Sequence, residues 1–384
     1  MDVKQIYQFV NTATKEVLGE TAIVNEDLSN IVDIGTSIFD ANAVDAYVKA
    51  LVNHIGKVVF VNRPYKGSAP SVLMDGWEFG SVLEKVTASL PEAEENESWQ
   101  LQDGQVYEQN QAYIPSVEVK FYNKKVTFEI ALTITELQLK QSFSNAQQLN
   151  GFLSMLYNEV EKSLTIKIDS LIMRTINNFI GETLYAEVPG GVYSGRTGVK
   201  AVNLLYMYNQ ANGTSLTASE CLSDKNFIRY ASWVMKIYVS RLSKISTVFN
   251  IGGKARFTPP DLLHVVLLDD FASSADVFLQ SETFHNELSK LPKYETVPYW
   301  QGSGTDYAFG SITKIDVDTA SGHTVQTTGI LGVMFDHDAL GVRNPDRRVT
   351  THYNAKAEFY NNWYKFDSGV FSDSGENFCL FYVA

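Results

Sequence analysis

The sequence predicts an α+β fold, and three observations support this prediction. The first is a helical repeat of apolar residues after Ser144, which extends for about 36 residues, or about 54 Å at 1.5 Å per residue. The second is an alternation of apolar and polar residues over 116–134, which fits two half-buried strands or one long bent strand. The third is a return of strand-like patterns from residue 294 to the C-terminus. Two strand-rich regions on either side of one long helix predict a single domain whose sheet is interrupted in sequence.

The composition fits a chain with a large core and excludes several protein classes. The 384 residues are 45% hydrophobic and 20% charged, which suffices for a folded protein. Lys and Arg number 31 against 44 Asp and Glu, a net charge of −13, which excludes a generally basic nucleic-acid coat. Two cysteines, Cys221 and Cys379, define no disulfide framework and cannot form a four-ligand zinc cluster alone.

The N-terminal region is predicted to be mainly helical. Apolar spacing over 3–18 indicates an amphipathic helix, and a polar segment to about residue 40 resembles a loop. Residues 41–55 again follow a helical stripe, which Gly56 would end as a C-cap glycine. A short strand is expected at 57–64. We find no signal peptide, and no stretch approaches the roughly 20 apolar residues that span a bilayer.

A long stretch to about residue 115 is rich in turn-forming and acidic residues and lacks an apparent core of its own. Such a span would be unusual inside a compact domain, so it predicts a protruding arm or hairpin that contacts another molecule. Trp77 and Phe79 in MDGWEFG are our first candidates for intersubunit anchors, with local packing as the alternative. The acidic run PEAEENESWQ adds Glu92, Glu94 and Glu95, which suit a solvated or partner-facing loop better than an acid–base pair.

The long helix is the clearest element of the sequence. Ser144 and Gln147 form a potential capping box, and Gly181 closes the apolar repeat. The repeat lacks the e and g charges of a coiled coil, so we expect this helix to lie against a sheet.

An α/β region is predicted to follow as an insertion. Helical patterns occur at 199–211 and 217–245, and LHVVLL at 263–268 is typical of a strand buried on both faces. A further helix begins at Asp269, with two acidic residues near its N-terminus. The later strands are expected to pair with those before the long helix.

No motif in the sequence predicts catalysis, a cofactor or a metal. Residues 190–197 read G-x-x-x-x-G-R-T, but Arg196 replaces the P-loop lysine and a helix precedes the loop, so a surface loop is favoured. His337 lies between two aspartates in what we interpret as a strand-end turn, and His264 is predicted to be a satisfied core histidine. Nucleophile motifs such as G-x-S-x-G are absent from the sequence.

The order of these elements resembles the Hong Kong 97-type major capsid protein of tailed bacteriophages. Three stretches are also similar to capsid proteins of small short-tailed phages related to phi 29: YVKALVNHIGKVVFV (47–61), LNGFLSMLYNEVEKSLTIKIDSLIMRTI (149–176) and ILGVMFDHDALGVRNPDRRVTTHYNAKAEFYNNWYKFDSGVF (330–371). The third is the most specific, and its basic residues Arg343, Arg347 and Arg348 become candidates for intersubunit contacts.

The resemblance implies a division of the chain into the parts of that fold. These are an N-terminal arm (1–58), an E-loop with flanking P-domain strands (59–134), a P-domain with the spine helix (135–185), an A-domain (186–328), and returning A- and P-domain strands to the C-terminus (329–384). It also implies a homo-oligomer of pentamers and hexamers that forms an icosahedral head around double-stranded DNA, with the E-loop over a neighbouring subunit.

Further expectations follow from the resemblance. The subunit would be assembled in the host bacterial cytoplasm into the virion, with a portal, a separate scaffolding protein, possible cement proteins, weak contact with DNA and no membrane. We expect no proteolytic processing, no cross-link from Lys66 or Lys85, and no appended immunoglobulin-like domain. The alternatives are an encapsulin-type nanocompartment shell and a soluble nucleotide-binding enzyme that uses the loop at 186–198.

Overall fold

The computed structural model describes residues 3–20, 22–41, 43–58, 69–74, 83–88, 103–104, 110, 112, 114, 116–144, 146–188, 191–280, 293–302, 305–343 and 346–384. Helices and strands are mixed throughout these residues, so the predicted α+β class is confirmed. The chain forms two units, one of Met1–Asp75 with Lys125–Ala384 and one of Gly76–Lys124. No helix among the described residues is long and apolar enough to cross a membrane.

The helices are α1 (Val3–Leu18), α2 (Ile31–Asp40), α3 (Val44–Val58), α4 (Glu136–Ser142), α5 (Ala146–Glu187), α6 (Leu204–Asn212), α7 (Lys225–Leu242), α8 (Asp269–Gln280) and α9 (Phe309–Ile312). The strands are β1 (Leu73–Met74), β2 (Leu83–Ala88), β3 (Val117–Tyr122), β4 (Lys125–Thr135), β5 (Ala201–Asn203), β6 (Leu263–Leu268), β7 (Glu295–Val297), β8 (Ile315–Asp318), β9 (Thr324–Thr327), β10 (Ile330–Asp336), β11 (Leu340–Arg343), β12 (Asp346–Asn354), β13 (Phe359–Ser372) and β14 (Phe378–Tyr382).

The first sheet joins strands from both sides of the long helix. Its order is β1-β11-β13-β12, and β4 also pairs with β13. β4 and β13 are antiparallel from Phe359 opposite Thr135 to Gly369 opposite Lys125. The expected pairing of late strands with a strand before the long helix is therefore confirmed.

The second sheet has the order β5-β14-β10-β6-β7. Its strand β6 has the predicted bounds, and the last four residues of that strand are buried. β10 and β14 come from the C-terminal part of the chain, so the inserted α/β region is completed by returning strands. The ring of Phe378 on β14 meets Phe179 of α5, and Phe381 meets Tyr238 of α7. Because positions 378 and 381 point to opposite faces of a strand, α5 and α7 cover opposite faces of this sheet.

Helix α5 is longer than predicted because Gly181 does not end it. A Cβ at this position would lie 2.7 Å from Cγ2 of Val317, so the glycine allows α5 to pack closely on β8. The helix begins at Ala146, two residues after the predicted cap Ser144. A capping box is present at Thr135 and Gln138, at the start of α4.

Three further local predictions are corrected. α2 forms where a loop was expected, because Ile31, Ile34 and Ile38 are buried along one side of it. α3 continues to Val58, so the first two residues of the expected strand at 57–64 are helical, and residues 59–64 lie outside the described part. The helical pattern predicted at 199–211 contains the strand β5 at its start, so α6 begins only at Leu204. The Asn203 side chain accepts a hydrogen bond from the Tyr206 N–H and caps that helix.

Candidate assembly surfaces

The β2–β3 hairpin presents an apolar face to solvent. The antiparallel register places Val86 opposite Val119, Ala88 opposite Val117 and Glu84 opposite Phe121, all on one face. Phe121 is 64% exposed, Val86 60%, Val117 56% and Val119 42%. Two-stranded hairpins are marginal in water, and exposed apolar clusters mark interaction sites. We call Val86, Val117, Val119 and Phe121 the apolar hairpin face and regard it as the first candidate assembly surface.

The sequence predicted two half-buried strands or one long bent strand at 116–134; the structure contains two strands, and their environments differ. Val126, Phe128 and Ile130 of β4 are partly buried and pack against the main core, as half-buried strands should. Val117, Val119 and Phe121 of β3 have the same alternation and are exposed. Alternation shows that a strand has an apolar side, and only the surrounding chain shows whether that side is covered.

The predicted anchors of the arm lie outside the described residues. This applies to Trp77, Phe79, Glu92, Glu94 and Glu95. Their intersubunit role stays a prediction.

The three candidate arginines occupy different environments. Arg343 on β11 is 3% exposed, and burial lowers its pKa while the carboxylate of Asp367 acts in the opposite direction. The Arg347 side chain is 7% exposed; its Nη1 lies 3.7 Å from Oε1 of Glu161, and its guanidinium lies over the Phe366 ring.

Arg348 differs from the other two because its side chain is 60% exposed. Its Nη2 lies 2.6 Å from Oδ2 of Asp367 on the neighbouring strand β13. Of the three arginines, Arg348 is thus the one placed to reach another molecule, and the intersubunit role of all three remains a prediction.

The residues that follow the glycine-rich loop contact a carboxylate of the same chain. The Glu187 carboxylate at the end of α5 accepts hydrogen bonds from the N–H groups of Val199 and Lys200 at 2.7 and 3.3 Å. Lys200 Nζ also pairs with Glu187, and the two side chains are only 15% and 13% exposed. Arg196 is exposed, and Gly190 lies outside the described residues.

Two histidines far apart in sequence meet at the end of two interior strands of the second sheet. Nε2 of His264 and Nδ1 of His337 are 3.0 Å apart, because β6 and β10 pair with His264 opposite Phe335. Burial lowers the pKa of His264, the neighbouring His337 lowers it further, and Asp336 opposes both.

The structure refines the sequence interpretation of these histidines. His264 is half-buried rather than fully in the core, and His337 lies in the turn after β10 as predicted. The pairing was not predicted, since the two residues have no shared helical or strand spacing. Among the described residues, no cluster of three or more His, Cys, Asp or Glu side chains could hold a metal ion.

A second apolar surface lies on the segment between α7 and β6. Ile245, Val248 and Phe257 are 54%, 46% and 53% exposed, on either side of a bridge between Ser246 and Arg256. The guanidinium of Arg256 pairs with Glu376 at 3.1 Å. The segment is thus anchored to the turn before β14 while its apolar side chains face outwards.

Comparison with known proteins gives one consistent result. A family model described as Phi29-like phage major capsid protein matches residues 10–382. The major capsid protein of Bacillus phage GA-1 is 24% identical over 229 residues, which cover 53% of this chain and 46% of that protein. The match thus spans about half the length of this curated relative.

Solved structures with similar architecture are also phage capsids. The capsid structure of Staphylococcus phage Andhra has a TM-score of 0.49 at 11% identity, covering 84% of this chain and 86% of that one. The capsid structure of the Cyanophage P-SCSP1u has a TM-score of 0.47 at 11% identity, covering 84% and 90%.

Proposed function

The chain belongs to the Phi29-like phage major capsid protein family, and we propose that it assembles as pentamers and hexamers into an icosahedral head that encloses double-stranded DNA. The family that the sequence resembles is confirmed, and with it a capsid fold of the Hong Kong 97 type. The role proposed for the chain is structural and requires no catalytic step.

The observation that supports assembly most directly is the apolar hairpin face. Its four side chains are each 42% to 64% exposed. Fully burying a Val or Phe side chain stabilises by about 1.5–3 kcal/mol, so covering the exposed parts of all four would contribute roughly 3–7 kcal/mol per subunit. A neighbouring subunit that covers this face would gain that energy in every contact of a shell.

The charge of the chain supports a container rather than a DNA-coating protein. A net charge of −13 opposes tight binding to phosphate, so we propose weak contact with the packaged DNA. We further propose that the subunit assembles in the host cytoplasm with a separate scaffolding protein, a portal and possible cement proteins.

The proposal is tested by electron microscopy and sedimentation of the purified full-length chain, expressed with and without the other head proteins of its phage. Closed shells of uniform diameter with five- and six-subunit capsomers are expected in at least one condition. Monomers or small oligomers in all conditions would contradict the proposal. Nucleic acid inside shells isolated from infected cells would separate a phage head from an encapsulin-type compartment, for which an enclosed enzyme is expected. The family match favours the phage head.

A further inference from the structure

The segment between α7 and β6 contains a short antiparallel ribbon. Ser246 and Arg256 form its bridge, since the N–H group of each residue donates to the carbonyl oxygen of the other, at 2.9 and 3.0 Å. The Thr258 N–H donates to the carbonyl oxygen of Leu242, the last residue of α7, at 2.7 Å. Residues 245–257, which we call the ribbon, thus begin and end at neighbouring points of the subunit.

The two sides of the ribbon differ in polarity and exposure. Side chains alternate along a strand, so the neighbours of a bridged pair lie on the other side from that pair. Ser246 and Arg256 are half-buried, and the Arg256 guanidinium pairs with Glu376 of the same chain at 3.1 Å. Their neighbours Ile245 and Phe257 are 54% and 53% exposed. The polar side of the ribbon therefore contacts the subunit, and the apolar side faces solvent.

Hydrogen bonds brace the ribbon against the subunit. The Asn250 side chain is 2% exposed; it donates to the carbonyl oxygen of Lys254 and accepts from the Lys254 N–H, both at 2.7 Å. The Gly252 N–H donates to the carbonyl oxygen of Ser374, in the turn before β14, at 2.7 Å. Because a braced segment has little conformational entropy left to lose, its exposed side chains can bind a partner at low cost.

The exposed apolar side chains of the ribbon form one surface. Ile245 and Phe257 lie opposite each other beside the bridge, as cross-strand neighbours do, and Val248, three residues after Ile245, is 46% exposed. We call Ile245, Val248 and Phe257 the apolar ribbon face. Three half-exposed side chains present far less than the roughly 800 Å² per partner of a stable protein–protein interface. The face is thus too small to hold a dimer alone and suits a contact that is repeated in an assembly.

We propose that the apolar ribbon face binds a different surface of a second copy of the chain, as a repeated contact of a closed ring, an inference that rests on the proposed shell. Residues 244–260 contain Lys244, Lys254 and Arg256 and no Asp or Glu, so pairing of this segment with itself would bring like charges together. The chain as a whole has a net charge of −13, so its other surfaces complement the segment better. Contacts between two different surfaces of identical subunits close into rings when the rotation between subunits allows it.

Two arguments favour a second copy over nucleic acid as the partner. Phosphate groups are bound by cationic and polar side chains and by backbone N–H groups, whereas Ile, Val and Phe occupy the exposed side of the ribbon. Every subunit of a shell also brings the complementary surface at a high local concentration, so a small apolar face suffices.

The direct test introduces a thiol into the ribbon of the full-length chain. Thr247→Cys changes an exposed position and retains the three apolar side chains, while the two native cysteines are buried. In shells, maleimide should label this variant at least tenfold more slowly than in the unassembled subunit, whereas Lys314→Cys, at an exposed site elsewhere, should change by less than twofold. Equal labelling of Thr247→Cys in shells and subunits would overturn the proposal, as would equal slowing in both variants.

A photo-reactive cross-linker attached to the same introduced thiol identifies what covers the ribbon. Cross-links to residues outside 242–258 of a second copy are expected. Cross-links to the same segment of a second copy, to DNA or to a different protein would each overturn the proposal.

The assembly test removes the apolar side chains. Ile245→Ser/Phe257→Ser should raise the protein concentration needed for shell formation at least fivefold and leave urea unfolding of the unassembled subunit nearly unchanged. The control Ile166→Ser/Val277→Ser, which removes side chains that are 66% and 64% exposed on α5 and α8, should change that concentration by less than twofold. Equal effects of the two double variants would overturn the proposal. A chain that stays monomeric in every condition would overturn the proposed shell and the ribbon contact together, whereas shells that form equally well without Ile245 and Phe257 would overturn the ribbon contact alone.

Discussion

Replacement of Phe121 by Ser tests whether the apolar hairpin face is an assembly surface. The Phe121 side chain is 64% exposed, so its loss removes little packing within the subunit. If a neighbour buries the exposed part, the substitution removes roughly 1–2 kcal/mol per contact, taking about 1.5–3 kcal/mol for a whole buried Phe. This corresponds to a 5–30-fold weaker association constant.

The assay compares the critical concentration for shell formation, measured by light scattering and sedimentation, for wild type, Phe121→Ser and Glu84→Gln. Glu84 lies opposite Phe121 on the same face, and its replacement retains the apolar area, so it serves as the matched control. Denaturant unfolding of the unassembled subunit should change by less than about 0.5 kcal/mol, as is usual for a surface substitution. Assembly of Phe121→Ser at the wild-type critical concentration would refute the assignment of this face.

Three further variants test the second sheet and its surroundings. Phe378→Ala should lower the unfolding free energy by about 3–5 kcal/mol, since this ring is 1% exposed and contacts Phe179; urea unfolding measures it. Lys200→Met should cost roughly 3 kcal/mol, because it leaves the largely buried Glu187 without its cation, and the Glu187→Gln/Lys200→Met pair should cost less than the two single variants together. His264→Gln should reduce the loss of stability between pH 7 and 5. The pKa of His264 is lower in the folded chain than its ordinary value of 6.5. As the pH falls below 6.5, position 264 therefore binds more protons in the unfolded chain than in the folded chain, and unfolding is favoured.

Each of these expectations has a contradicting result. A loss below about 1 kcal/mol for Phe378→Ala would mean that the second sheet tolerates a large cavity, contrary to its burial. Additive losses for Glu187 and Lys200 would mean that the two side chains do not interact energetically. An unchanged pH dependence in His264→Gln would show that other groups determine the acid response.

Periodicity along the chain predicted the main elements well. The strand at 263–268 has its predicted bounds, and the helices at 3–18 and after Asp269 are present. These signals are local, because a repeat of 2 or 3.6 residues already states which side of an element is apolar. Glycine was less informative: Gly181 was expected to end α5 but allows close packing on Val317, which depends on a strand 136 residues away.

The candidate surfaces were less predictable than the elements. Arg343 and Arg347 were candidates for contact with other subunits; Arg343 is buried and Arg347 pairs with Glu161, and their intersubunit role stays a prediction.

The sequence by itself determined the fold class, the long helix and the acidic balance, since each depends on composition or on regular spacing along the chain. The family followed from the resemblance of whole stretches to known capsid proteins. Tertiary structure alone decided that β10 and β14 complete the second sheet, that His264 meets His337, and that the apolar side of β3 is exposed in the subunit. The physical reason is that strand pairing and the burial of an apolar strand face depend on residues distant in sequence. The alternation of apolar and polar residues is the same whether that face is buried by the same chain or remains exposed for contact with another chain.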